Sequence, residues 1–262
     1  MPRAEVTKSS ASDSGAITAL PALQAMPSGA PIATRRGNVE IVRDFLDLSF
    51  RMESGRALPV MSRFEGPITV AMTGDVPKSA GAELARLMGR LRNEAGLDMQ
   101  LAPAGQTAAI TIEFLPRNQM RRVVPTAACF VVPGVTSFAD YKAARGTAAV
   151  DWAQITRRTH AAIFVPSDTS AQEVRDCLHE EVAQATGPLN DLYHLPDSVF
   201  NDDNFHTVLT SFDMLILRAY YAPELQSGMN EAEAAKHIPA ILARLNPAGE
   251  GIGGTPSHLS PR

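Results

Sequence analysis

The stretch from Pro166 to Pro188 limits what this chain can fold into more than any other. Pro166-Ser167-Asp168-Thr169-Ser170 supplies turn residues and an N-cap, and Ala171 to Ala185 places Val174, Cys177, Leu178, Val182 and Ala185 at helical spacing. Gly187-Pro188 then ends the helix, the glycine suited to a left-handed C-cap and the proline unable to continue it. At about 100° per residue, Val174, Leu178, Glu181 and Ala185 fall along one side, so a carboxylate stands inside the apolar stripe. Such a group has to be paired, protonated or put to use. Glu180 and Gln184 project together from a flanking face, whereas His179 and Ala183 lie on the far side, which makes the histidine the weakest candidate actor. Burial of Glu181 near Gln184 or Asn190 would raise its pKa, and donors from those amides would lower it.

Aligned on Glu180, the run reads E-E-x-x-Q-x-x-G-x-x-N, position for position on the pattern H-E-x-x-H-x-x-G-x-x-H. It thereby resembles the metzincin branch of the zincin metallopeptidases. The resemblance implies Glu180, Gln184 and Asn190 at the metal-ligand places, Glu181 as general base and Gly187 as the turn that brings the third ligand round. All three ligand places depart from histidine. Zinc, the cofactor this frame calls for, favours imidazole and thiolate and accepts carboxylate, but an amide oxygen is a poor ligand for it. Reading His179 as the first ligand puts Ala183 at the second place, so neither frame is intact.

The run from Glu180 to Asp191, with Pro196 to Asp202, Phe45 to Phe50 and Arg63 to Ile68, is also similar to an uncharacterised bacterial family, the domain of unknown function numbered 2927. That family is grouped with metallopeptidase-like folds, and the similarity runs from Asn38 to Met229. It implies an α+β, zincin-like fold: a mixed sheet with packed helices and a central motif helix. It also implies an exported or lipid-anchored envelope protein whose targeting segment is absent from this sequence, with a cytoplasmic location left open.

Composition sets the outer bounds. With 262 residues, 45% hydrophobic and 20% charged, the chain can bury one substantial core or two small ones. A net charge of -4 without a basic cluster gives no footprint for nucleic acid, and Arg121-Arg122 and Arg157-Arg158 read as solvated pairs. No run approaches the ~18 apolar residues of a membrane helix. Residues 1–36, rich in Ala, Pro, Ser and Thr, read as a disordered leader or linker without a secretory signal; 37–246 form the domain, and 247–262 read as a disordered tail.

Within the domain, helices are expected from Asn38 (as N-cap) to Ser54-Gly55, over Ala80 to Ala95, over Thr207 to Tyr221, and from Asn230 to Leu245 with Pro239 as a kink. Strands are expected within Phe64 to Thr73, Asp98 to Ala102, Ala108 to Leu115, Ala127 to Val132 and His160 to Val165, the last two separated by a polar segment containing Tyr141, Lys142 and Trp152. Cys129 and Cys177 can close a disulfide that ties the motif helix to the sheet in an exported protein, or stay as buried thiols in the cytosol. After the motif, Asp191, His194, Asp202 and Asp203 offer replacement ligands, or the Asn and Asp residues there make Asx turns. Met214 reads as core filler, with a metzincin Met-turn as the alternative.

Three functions fit these residues. One is a pseudoenzyme in which Glu180, Gln184 and Asn190 hydrogen-bond to one another and the cleft binds a peptide or envelope component. Another is a scaffold in which the same network locks a helix crossing. The third is a metal-dependent peptidase with Glu181 as base and an oxygen-rich ligand set. The sequence does not set the oligomeric state.

Overall fold

A computed structural model describes residues 34, 36–201 and 208–252. Most of the leader and the tail beyond Ile252 therefore lie outside the described residues, as do Asp202, Asp203 and Thr207.

The chain is α+β. Helix α1 (Asn38–Phe50) leads into β1 (Ile68–Gly74), α2 (Ala80–Arg90), β2 (Met99–Leu101), β3 (Ile110–Leu115), α3 (Arg117–Arg121), β4 (Phe130–Pro133), α4 (Phe138–Ala144) and β5 (Ala161–Pro166). The motif helix α5 (Ala171–Thr186) follows directly, then α6 (Ser211–Tyr220) and α7 (Glu231–Leu245). The five strands order as β2-β1-β3-β5-β4, parallel except for the antiparallel edge strand β4, so the sheet is mixed.

Side-chain alternation along β5 explains how two cores form. All six β5 residues are buried. Ala161, Ile163 and Val165 enter the larger core, shared with α1, α2, α5, α6 and α7, while Ala162 and Phe164 enter a smaller one closed by α3 and α4. A strand covered on both faces has no polar side to show, which is why it reads as a continuous apolar run. The smaller core is aromatic: Phe130, Phe138, Tyr141 and Phe164 pack with ring centroids 5.0 to 6.3 Å apart. The supposed polar segment is thus a covering layer, in which Tyr141 and Trp152 are buried. Helices as short as α3 and α4 place too few residues for a period to show.

Other boundaries shift for local reasons. Gly37, not Asn38, caps α1; Asn38 is the first helical residue and uses its amide on the Asn246 carbonyl and Glu250. Helix α2 ends in a π-helical turn over Leu91–Ala95 and stops at Gly96, whose φ of 75° suits glycine. Asp213 closes a capping box with Thr210, which starts α6 at Ser211.

The two cysteines form a disulfide, with Cα atoms 5.9 Å apart, that fastens the middle of α5 to the residue before β4. Closing a loop across a sequence separation of 48 restricts the unfolded chain, a stabilisation of about 4 kcal/mol in the chain-entropy account.

Candidate functional site

Helix α5 is capped by Ser170, whose hydroxyl accepts from the Glu173 amide at 3.1 Å. It is more than a half-buried surface helix. Val174, Arg175, Cys177, Leu178, His179 and every residue from Glu181 to Thr186 are buried, so polar side chains on all its faces must find partners inside the protein.

Its first half answers with charge. His179 is fully buried; Nδ1 accepts from the Leu209 amide at 3.1 Å, and Nε2 lies 3.6 Å from Glu83 of α2. Burial lowers the His179 pKa and keeps the ring neutral. The neighbouring imidazole, then Arg175 and Arg86, hold the Glu83 carboxyl well below the usual range. At 3.6 Å the imidazole is long for a hydrogen bond, so the contacts of Arg175 (2.9 Å) and Arg86 (2.6 Å) are the stronger ones. His179 therefore has a structural place between α2 and the segment leading to α6.

The second half carries the motif. Glu181 is fully buried within the apolar stripe, as the periodicity implies, and Glu180 is half-buried. Gln184 is fully buried, and its Nε2 donates to Glu53 Oε1 at 3.1 Å. The last turn has no basic residue of its own. Its carbonyls are met by Arg158, which donates to Gln184 O (2.6 Å), Ala185 O (2.7 Å) and Gly187 O (2.6 Å). Arg158 is 2% exposed and lies over the Trp152 ring, 4.7 Å from its centroid. This corrects its reading as half of a solvated pair: a guanidinium fork suits the unpaired carbonyls and negative end of a helix. Burial lowers its pKa.

Gly187 ends the helix for a different reason than expected. Its φ is -146°, outside the left-handed region, but a Cβ there would lie 2.7 Å from Leu217 Cδ2. A side chain at this position would therefore have to displace that α6 methyl.

Beyond it the chain is fastened to α1. Leu189 N donates to Leu48 O at 3.1 Å, Asn190 Nδ2 donates to Asp47 O at 3.0 Å, and His194 Nε2 lies 2.8 Å from Asp44 Oδ1. Burial raises the Asp44 pKa, against the pull of His194 and Arg36. Asp191 is half-buried. Ser198 donates to Asp213 at 2.5 Å, and Val199 N donates to the same carboxylate at 3.2 Å, which ties this connection to the start of α6. Met214 is 1% exposed, within the larger core.

The structure thus keeps Glu180, Glu181 and Gln184 together on one helix and directs Asn190 and His194 to α1. Zinc does not fit this donor set. The ligand places hold one carboxylate and two amides, and both amide nitrogens are turned to protein acceptors, Glu53 and the Asp47 carbonyl. Among the described residues, no three His, Cys, Asp or Glu side chains are grouped to hold a metal. No described helix is long and apolar enough to cross a membrane. Arg158 is the residue that sequence reasoning missed; the one available signal was a helix end lacking its own cation.

A family model described as a protein of unknown function (DUF2927) matches residues 38–240. No curated protein matches the chain.

Proposed function

The chain belongs to the DUF2927 family, proteins of unknown function, and on that premise we propose that it is a zincin-like domain whose metal centre is replaced by an internal polar network. In this reading it serves as a binding module of the bacterial cell envelope and is not a hydrolase. The observation that carries the proposal is the use of the amides: Gln184 and Asn190, at two ligand places, both donate hydrogen bonds to the protein itself. An amide held as a donor completes a crossing between elements without help from a cation.

Two further features support the reading. A mixed sheet with packed helices and a central motif helix is the arrangement that the zincin resemblance implies. The Cys129–Cys177 disulfide suits an oxidising compartment, consistent with export.

Elemental analysis of protein purified without chelator or a histidine tag, before and after zinc is supplied, tests the proposal. The expected result is substoichiometric metal in both cases. One metal per chain, lost in Glu180→Ala or Gln184→Ala, would overturn it and favour a peptidase with Glu181 as base.

A further inference from the structure

The run from Arg63 to Ile68, which the motif helix leaves unused, walls a cavity. All six of its residues, with Gly96, Asp98 and Tyr221, line a space of about 260 Å³ that opens to solvent where the chain enters β1 and β2. Arg63 is 7% exposed and is held from several sides. Its Nε donates to Glu65 Oε1 at 3.0 Å, and Nη1 donates to Tyr220 O at 2.9 Å and Ala222 O at 3.1 Å. The guanidinium also lies over the Tyr221 ring, 5.5 Å from its centroid. Nη2 donates to no protein group among the described residues. A buried, fixed guanidinium is thereby left with two N–H donors for a guest.

Two carboxylates share the lining. Glu65 spends Oε1 on Arg63 and on the Ser227 amide (2.8 Å), which leaves Oε2. Asp98 is exposed, and its carboxylate accepts from no protein group among the described residues. Gly66 has no structural need to be glycine: its φ is not positive, and a Cβ there would meet nothing within 4 Å. Its missing side chain keeps the cavity open. The half-buried Tyr221 ring gives an apolar wall, fixed by its hydroxyl, which donates to Thr186 O at 2.8 Å. An inorganic anion would meet the two carboxylates, and a simple cation would meet Arg63. A small zwitterion answers both, its carboxylate to the guanidinium and its ammonium to the carboxylates.

We infer that this cavity binds the α-amino-acid group of a small molecule, with the carboxylate on Arg63 Nη2 and the ammonium on Asp98 and Glu65 Oε2. The volume lies below the roughly 300–1,000 Å³ of sites for drug-sized ligands, which suits a guest as small as a free amino acid. None of Glu180, Gln184 and Asn190 lines the cavity, so the inference goes beyond the proposed function and stands whether or not those residues hold a metal.

NMR titration of the full ¹⁵N-labelled chain with alanine and leucine, each in both hands, tests the inference, alongside the N-acetylated, C-amidated and doubly blocked form of each. Saturable shifts of the Gly66 and Asp98 amides with at least one free amino acid are expected, and blocking either charge should weaken binding roughly tenfold or more. Asp98→Asn, at an exposed position, should weaken binding of the free amino acid and remove most of the effect of N-acetylation. Gly66→Val, which extends into open space, should abolish binding in a folded protein. It serves in place of a change at Arg63, which also holds the end of α6. No shift with any of the free amino acids, equal binding of a doubly blocked form or of acetate, or binding unchanged in both variants would each overturn the inference.

Discussion

The second half of α5 is more deeply buried than the first, and the two satisfy their polar groups in different ways. The first half pairs side chain with side chain: Glu83 gathers Arg175, Arg86 and the His179 ring between two helices. In the second half side chains from elsewhere meet the helix end, most of all Arg158 on the carbonyls of Gln184, Ala185 and Gly187, with Asn190 and His194 fixing the following segment to α1. Charge pairs in the first half depend on pH. Backbone carbonyls do not titrate, so the second half should hold wherever Arg158 stays charged.

The largest effect should come from Arg158→Leu, which leaves three buried carbonyls without their donor. A loss of about 3–5 kcal/mol, or failure to fold, is expected in urea denaturation. Arg158→Lys should recover only part, since an ammonium lacks the planar fork. A loss in Arg158→Leu no larger than that of an exposed arginine such as Arg244 would break the comparison.

Next comes the disulfide between the halves and the sheet. Reduction, or the double change Cys129→Ala and Cys177→Ala, should cost about 2–4 kcal/mol. Amide exchange across α5 should report where protection is lost, and unchanged protection would contradict the role given to the bridge.

Glu83→Gln sharpens the difference in pH response. Glu83 has a folded pKa below its ordinary value of 4.5, so its contribution is complete above that value and is lost as pH falls below it. His179, lowered from 6.5, acts in the same sense: the unfolded chain takes up the proton first, so acidification below 6.5 removes stability. Asp44 and Asp213, raised by burial, oppose this. The quantity to measure is therefore the stability difference between wild type and Glu83→Gln against pH. It should be about 2 kcal/mol near neutrality and shrink below pH 4.5. A difference independent of pH would show that Glu83 acts through packing alone. The smallest effect is expected for His194→Ala, about 0.5 kcal/mol, because the imidazole is 57% exposed and its pair is screened.

What the sequence made legible was local. Ser170 and the spacing from Ala171 onward placed α5 to within a residue, because capping and periodicity act over a few positions. The five strands and the burial of Glu181 were legible for the same reason. Arg158 was not, because its partners lie 26 to 29 residues away and its neighbour Arg157 makes the pair look like surface. Gly187 was recognised as a stop, but its closeness to Leu217 belongs to packing. The site was half legible: the frame showed which residues share the helix, and only the fold showed that the amides of Gln184 and Asn190 point to Glu53 and Asp47.

The most direct measurement of the central claim, that a polar network has taken the place of a metal, is thermal unfolding of the untagged protein with added zinc, with chelator and with neither. The account predicts the same midpoint in all three. A midpoint raised by zinc and lowered by chelator, with the zinc response lost in Glu180→Ala, would contradict it, since only a ligand bound to the folded chain shifts stability in that way.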